Sequence, residues 1–314
     1  MFSRRPRSGN RGPALALTVV TALVVGLSVL SPPAVHGGVG TADPTAAAPA
    51  VRAAAALTLE RTIRTRPFRG SQVSLLDQEG SAYVPRDGSL WLADDDGRKL
   101  LEVNAATGAL KRSIGPRTLE RARAAGGRQR ARAFRTQDLE SLAYDRARDV
   151  LYAFSGPCCK SWVRPAVFRL TRKAGRLRVR SFRALPVNSD NTASAWHRNT
   201  GRVFVGSSGT MRSYSYRHNR FGRAIEVPGL NRILGMDFNR TGKVLHVVHD
   251  QTRLSRVRWR TRSLVGTRRN LAAHGVGDAR AVVTSGRRLY VSDGDDSRAD
   301  GDPLRLAVYV FTHD

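Results

Sequence analysis

The chain has 314 residues, 53 Lys and Arg against 25 Asp and Glu, a formal net charge of +28 and only two cysteines. That length leaves room for one domain with a sizeable core, and the charge suggests polyanions as partners. No aromatic stacking pattern or helix-turn-helix pattern accompanies the arginines, which argues against sequence-specific nucleic-acid recognition. The scarcity of lysine beside abundant Arg, Ala and Gly is equally the mark of a GC-rich genome.

Residues 1–37 read as an export signal. Arg4, Arg5, Arg7 and Arg11 precede an apolar run from Ala14 to Leu30, and Pro32-Pro33 and small residues follow. Cleavage would leave a secreted, extracytoplasmic protein. Retention would leave it anchored by a run near the lower length limit for a span, the only route to membrane contact. Residues 38–56, nearly all Ala, Gly, Pro, Thr and Val, read as a disordered spacer.

From residue 57 to 314 one pattern recurs five times: an apolar stretch, a turn rich in Asp, Arg, Asn and Gly, then a hydrophobic strand core. The copies place Ala82 before Leu90-Trp91-Leu92, Ala143 before Leu151-Tyr152-Ala153 and Ala195 before Val203-Phe204-Val205. Asp237 precedes Leu245-His246-Val247, and Ala281 precedes Leu289-Tyr290-Val291. A period in the forties built from strands and tight turns predicts an all-β, five-bladed β-propeller. Six blades are the alternative, if Phe68 to Leu76 belongs to a degenerate blade. The fifth copy runs out of chain after Leu306–Phe311, leaving an unpaired edge. Leu57–Arg64 alternates apolar and polar residues, and is expected to close the ring as the outer strand of blade five.

In a propeller, residues just before each inner strand and just after each second strand share one rim. Counting three positions before the aligned small residue gives Glu79, Glu140, Thr192, Leu234 and Asp278; the second strands end at Asp94, Ser155, Ser207, His249 and Asp293. The acids all fall in blades five, one and two. Clustered carboxylates repel unless a cation or proton compensates, and hard oxygen donors suit Ca²⁺. Glu79, Glu140, Asp278, Asp94 and Asp293 are therefore candidate metal ligands; capping of strands or pairing with arginines is the other reading. Ser155 and Ser207 are candidate ligand-binding positions.

The run from Asp293 to Asp302 concentrates acids without the register of an EF-hand loop. Adjacent Cys158 and Cys159 predict a vicinal disulfide in an exported chain, with free thiols as the alternative. An arginine-rich insertion from Gly115 to Gln137 is expected on the rim face as a cationic flap. Its Arg128 and Arg130 would bind an anionic polymer or phosphorylated small molecule; a solvated loop is the plainer reading. No G-x-S-x-G elbow is present. His246 falls where sister blades hold Trp91, Tyr152, Phe204 and Tyr290, a packing position, so His249 beside Asp250 is the one acid–base candidate. A monomer is expected.

Asp138-Leu139-Glu140-Ser141-Leu142-Ala143-Tyr144-Asp145 followed by Val150-Leu151-Tyr152 resembles the repeat of exported NHL-like, SdiA-regulated and phytase-like (esterase-like) propellers. Tyr290-Val291-Ser292-Asp293-Gly294 is similar to the closing blade of NHL-type repeats. In the related calcium-dependent lactonases a Glu opening the first inner strand holds the metal, and Glu79 matches it. Ser141 stands where a Gly is usual, and blade four offers Leu234 where those enzymes have polar ligands. Two functions follow as expectations: a binding or scaffold propeller engaging a ligand at an acidic mouth, or a Ca²⁺-dependent esterase, lactonase or phosphoesterase.

Overall fold

The computed structural model describes residues 57–131, 138–157, 164–187, 190–294 and 306–313. The signal and spacer readings, Cys158 and Cys159, and the acids from Asp295 to Asp302 lie outside them.

Five antiparallel sheets form a five-bladed propeller. Blade one is β2 (Gln78–Val84), β3 (Ser89–Asp94), β4 (Lys99–Asn104) and β5 (Leu110–Ile114). Blade two is β6 (Leu139–Asp145), β7 (Val150–Ser155), β8 (Ala166–Lys173) and β9 (Arg176–Ala184). Blade three is β10 (Ala193–His197), β11 (Arg202–Ser207), β12 (Thr210–Ser215) and β13 (Arg220–Glu226). Blade four is β14 (Ile233–Phe238), β15 (Val244–His249) and β16 (Arg253–Arg258), with its outer edge split into β17 (Ser263–Leu264) and β18 (Arg269–Asn270). Blade five is β19 (Ala279–Ser285), β20 (Arg288–Asp293) and β21 (Ala307–Thr312), completed by β1 (Thr58–Arg64).

The expected closure is present: β1 pairs antiparallel with β21 from Thr58↔Thr312 to Arg64↔Ala307. The N-terminal strand thus covers the edge that β21 would otherwise expose. Phe68 to Leu76 forms no sixth blade. Its Phe68 and Leu75 are buried among Leu90, Val103, Val308 and Val310, sealing the seam between blades one and five.

The inner strands β2, β6, β10, β14 and β19 line the central channel, each against the next, with β19 against β2. Gly80 permits one of these approaches, since a Cβ there would lie 2.6 Å from Ser141 Cα. Between blades apolar side chains interlock. Phe204, Phe238 and Trp259 pack with ring centroids 4.7–5.9 Å apart around the buried His197. Burial lowers the His197 pKa, so its neutral ring packs as an aromatic while its nitrogens bond Thr200 and the Gly242 carbonyl. Among the described residues no helix is long and apolar enough to cross a membrane.

Candidate functional site

The upper rim, where inner strands begin and second strands end, is shaped by β-bulges. In blades one, two, four and five the ladder skips one residue of the inner strand: Glu79, Glu140, Leu234 and Arg280. A bulge releases one side chain from the pleat and re-aims it. In blades one and two that residue is an acid, as the repeat predicts. In blade five it is Arg280, and Asp278 lies two residues upstream. The reason is turn length. Four residues separate Val84 from Ser89 in blade one, but only Gly286 and Arg287 separate Ser285 from Arg288. Counting back from the second strand therefore lands two residues early in blade five.

Arg280 compensates the acids around it. Its Nη1 lies 3.0 Å from Glu79 Oε1 and its Nη2 2.6 Å from Asp278 Oδ2, all three side chains being about nine-tenths buried. Burial still raises the Glu79 pKa well above its ordinary value, outweighing the Arg280 guanidinium, and Asp77, Asp95 and Asp278 add to the rise.

Blade two presents a different set. Oxygen atoms of Asp138, Glu140 and Asp190 lie within 4.8 Å of one another. Glu140 is 7% exposed. Burial raises its pKa well above the ordinary range, and the charges of Asp138, Asp190 and Glu79 raise it further. Next to it Asp95 accepts from the Leu139 amide at 3.1 Å. Burial, with the charge and hydrogen bond of Asp138, pushes the Asp95 carboxyl up to about 8. Asn191 fixes the adjoining backbone: its Nδ2 donates to the Ser155 carbonyl at 3.0 Å, while Ser141 Oγ donates to the Asn191 carbonyl at 2.6 Å.

Space beside these acids is kept open by Gly156, whose amide donates to the Asp138 carbonyl at 2.7 Å. A Cβ on Gly156 would collide with the carboxylates of Asp138 and Glu140. Three convergent oxygen donors, with a glycine sparing the space beside them, fit a hard divalent cation such as Ca²⁺.

The remaining candidates have other partners. Asp94 Oδ1 accepts from the amides of Leu76, Asp77 and Gly97 at 3.0–3.3 Å, and Oδ2 faces Lys99 Nζ at 3.1 Å. Asp293 likewise accepts from Gly277 and Asp278 amides at 3.0 and 2.7 Å. These two acids hold the segments entering their inner strands. Ser155 Oγ accepts from the Ala166 amide at 2.9 Å and clasps β7 to β8. Ser207 Oγ faces Ser208 Oγ at 3.5 Å.

His249 is fully buried, with Nε2 2.8 Å from Ser255 Oγ and Nδ1 2.9 Å from Asp250 Oδ2. Both ring nitrogens are engaged within blade four. His246 is buried as a packing residue, and burial lowers its pKa to about 3. The described part of the insertion, up to Ala131, packs at the outer edge of blade two. After a short helix, Pro116–Glu120, it forms a small hairpin through Arg123↔Arg130 that joins the outer strand of blade two at Ala124↔Phe182. Arg128 and Arg130 are exposed at that outer edge.

No family model matches the chain, and no curated protein matches it in sequence. Solved structures share its fold. A glutaminyl cyclase from Myxococcus xanthus superposes with a TM-score of 0.56 at 10% identity, covering 83% of this chain and 97% of that one. A luciferin-regenerating enzyme gives 0.49 at 11% identity, covering 82% and 95%. A gluconolactonase from Xanthomonas campestris gives 0.49 at 14%, covering 84% and 99%. At these identities the likeness is one of fold. The glutaminyl cyclase superposition supports a β-propeller without singling out the NHL-like, SdiA-regulated or phytase-like groups.

Proposed function

We propose that this chain is an exported β-propeller that binds one divalent cation, Ca²⁺ by its donor set, through Asp138, Glu140 and Asp190, and engages its ligand or partner at that upper rim. The observation that carries this reading is the convergence of the three carboxylates within 4.8 Å beside Gly156. Burial and the neighbouring charges of Asp138 and Asp190 raise the Glu140 pKa well above its ordinary range, and a dication would relieve that repulsion. Arg280 already pairs with Glu79 and Asp278, so those two acids border the cation site rather than form it.

A hydrolase of esters, lactones or phosphoesters is the second reading. It is favoured by Glu79, a buried carboxyl beside the proposed ligands whose pKa burial raises well above its ordinary value. A bound cation would supply Lewis acidity; Glu79 would deliver or accept a proton. His249 is not assigned that role, because both its nitrogens are occupied.

The test is thermal unfolding of the mature domain with Ca²⁺ and with a chelator. Binding to the folded state raises the midpoint by mass action. Glu140→Gln and Asp190→Asn should each abolish the rise, and an unchanged wild-type midpoint would sink the cation site. Turnover on an ester, lactone and phosphoester panel that needs Ca²⁺ and falls with Glu79→Gln would select the hydrolase. Calcium binding with no turnover would select the binding protein.

A further inference from the structure

At the opposite end of the channel the inner strands run out into the hairpin turns, and all five blades place an arginine there, Arg287 being that of blade five. Arg86, Arg146, Arg198 and Arg240 line one cavity of about 570 Å³, a size suited to a small organic ligand. Its wall carries the half-buried rings of Tyr83 and Trp196, with Tyr144 and Phe238 bordering it from the buried cores between blades.

Two acids share this wall, and both are committed to protein partners. Asp149 is held by Arg172 Nε at 2.6 Å and by the Tyr144 hydroxyl at 2.7 Å. Asp237 accepts from the amide and hydroxyl of Thr284 at 2.7 and 2.9 Å. The arginines are less committed. Arg198 Nη1 donates to the Arg240 carbonyl at 2.8 Å, Arg146 Nη2 to the Thr284 carbonyl at 3.3 Å, and Arg86 Nη1 reaches Asp149 at 3.4 Å. One such bond uses a fraction of the five donors a guanidinium carries.

The wall also holds polar groups without a protein partner. Ser81 and Ser194 line the cavity at 6% and 5% exposure, and neither hydroxyl has a hydrogen-bond partner; nor does the Trp196 indole nitrogen. Buried donors of this kind are costly unless something in the cavity satisfies them.

We propose that this lower mouth is a binding site for a small organic anion, a phosphate monoester or carboxylate on a planar apolar body. The anionic group lies among the arginines, which suit forked recognition of such groups. The body lies along Tyr83 and Trp196, beside Ser81 and Ser194. The cations converge on a concavity, the arrangement for a small molecule rather than an extended polymer. The site is separate in residues from the carboxylates of the upper rim.

Calorimetric titration of the full chain with phenyl phosphate, inorganic phosphate and benzyl alcohol tests this. Phenyl phosphate should bind one to one, and each of the other probes should bind at least about tenfold more weakly, lacking either the wall contact or the charge. The doubly substituted R198Q/R240Q protein should lose about tenfold or more for phenyl phosphate. Ser194→Ala should weaken it without lowering the unfolding midpoint, and Glu140→Gln should leave it unchanged. Absence of phenyl phosphate binding would overturn the proposal, as would undiminished binding by R198Q/R240Q. So would an equal loss from R128Q/R130Q at the outer edge, which would mean general attraction to a basic surface. Inorganic phosphate binding as tightly as phenyl phosphate would overturn the assignment of an organic ligand.

Discussion

The two ends of the channel handle charge in opposite ways. At the upper rim the acids sit on bulged and linker positions, where the inner strands of neighbouring blades approach closely, and Glu79, Glu140 and Asp278 are buried there. At the lower mouth the arginines stand on turns, exposed around a cavity. Buried charge demands a partner in the structure: a guanidinium for Glu79 and Asp278, and a proton or cation for Glu140. Exposed charge is stabilised by water, so it can remain available to a ligand. The upper rim is therefore expected to affect stability and cation binding together, and the lower mouth to affect ligand binding alone.

The sharpest way to break that comparison is to remove one cation from each end. Arg280→Met leaves Glu79 and Asp278 buried without their shared guanidinium, and should cost about 3–5 kcal/mol. Arg240→Gln removes an exposed charge and should stay within about 0.5 kcal/mol. Urea denaturation of both variants measures the difference; similar losses would contradict the account.

Next in size is the effect of Gly156→Ala. Wild-type protein should gain about 2.7 kcal/mol at a Ca²⁺ concentration one hundred times its Kd. The alanine variant should lose that gain, because its Cβ occupies the space beside Asp138 and Glu140. Midpoints measured with Ca²⁺ and with a chelator would show it, while phenyl phosphate binding at the lower mouth stays intact.

Smaller, and confined to the cation-free protein, is a dependence on pH. Asp95 keeps its proton in the folded state to about pH 8, whereas an unfolded aspartate ionises near 4. Between those values the folded state holds more protons, so this group makes stability fall as pH rises. In chelator the midpoint should fall from pH 6.5 to 8, and Asp95→Asn should flatten that fall. An identical slope in the variant would remove Asp95 as its source. Smallest is Ser194→Ala, within about 0.5 kcal/mol, because its hydroxyl has no protein partner to lose.

Most of the architecture was legible because each blade repeats the same alternation, and because a strand-like Leu57–Arg64 had to meet the unpaired edge of Leu306–Phe311. The bulged rim positions were legible where they followed the repeat, at Glu79 and Glu140. Asp278 was aligned with them because the shorter hairpin of blade five is invisible to counting from the second strand; the two-residue turn at Gly286-Arg287 was the available signal. Asp190 sits in the linker ahead of β10 and belongs to no repeat, so only tertiary packing reveals it. Asp138, two residues before Glu140, lies in the blade-two motif, but nothing in the repeat marks it as a partner of Glu140. His249 was correctly placed at the end of its strand, yet its sealing by Ser255 depends on the neighbouring strand β16. The lower arginines were readable and missed: in all five copies an arginine follows the inner strand within two residues, at Arg86, Arg146, Arg198, Arg240 and Arg287.

The most direct measurement is calorimetric titration of Ca²⁺ into the wild-type, Glu140→Gln and Asp190→Asn proteins, each also titrated with phenyl phosphate. The account predicts one Ca²⁺ per wild-type chain, loss of that binding in both variants, and phenyl phosphate binding unchanged in all three. No Ca²⁺ binding by the wild type, or undiminished binding by both variants, would contradict it.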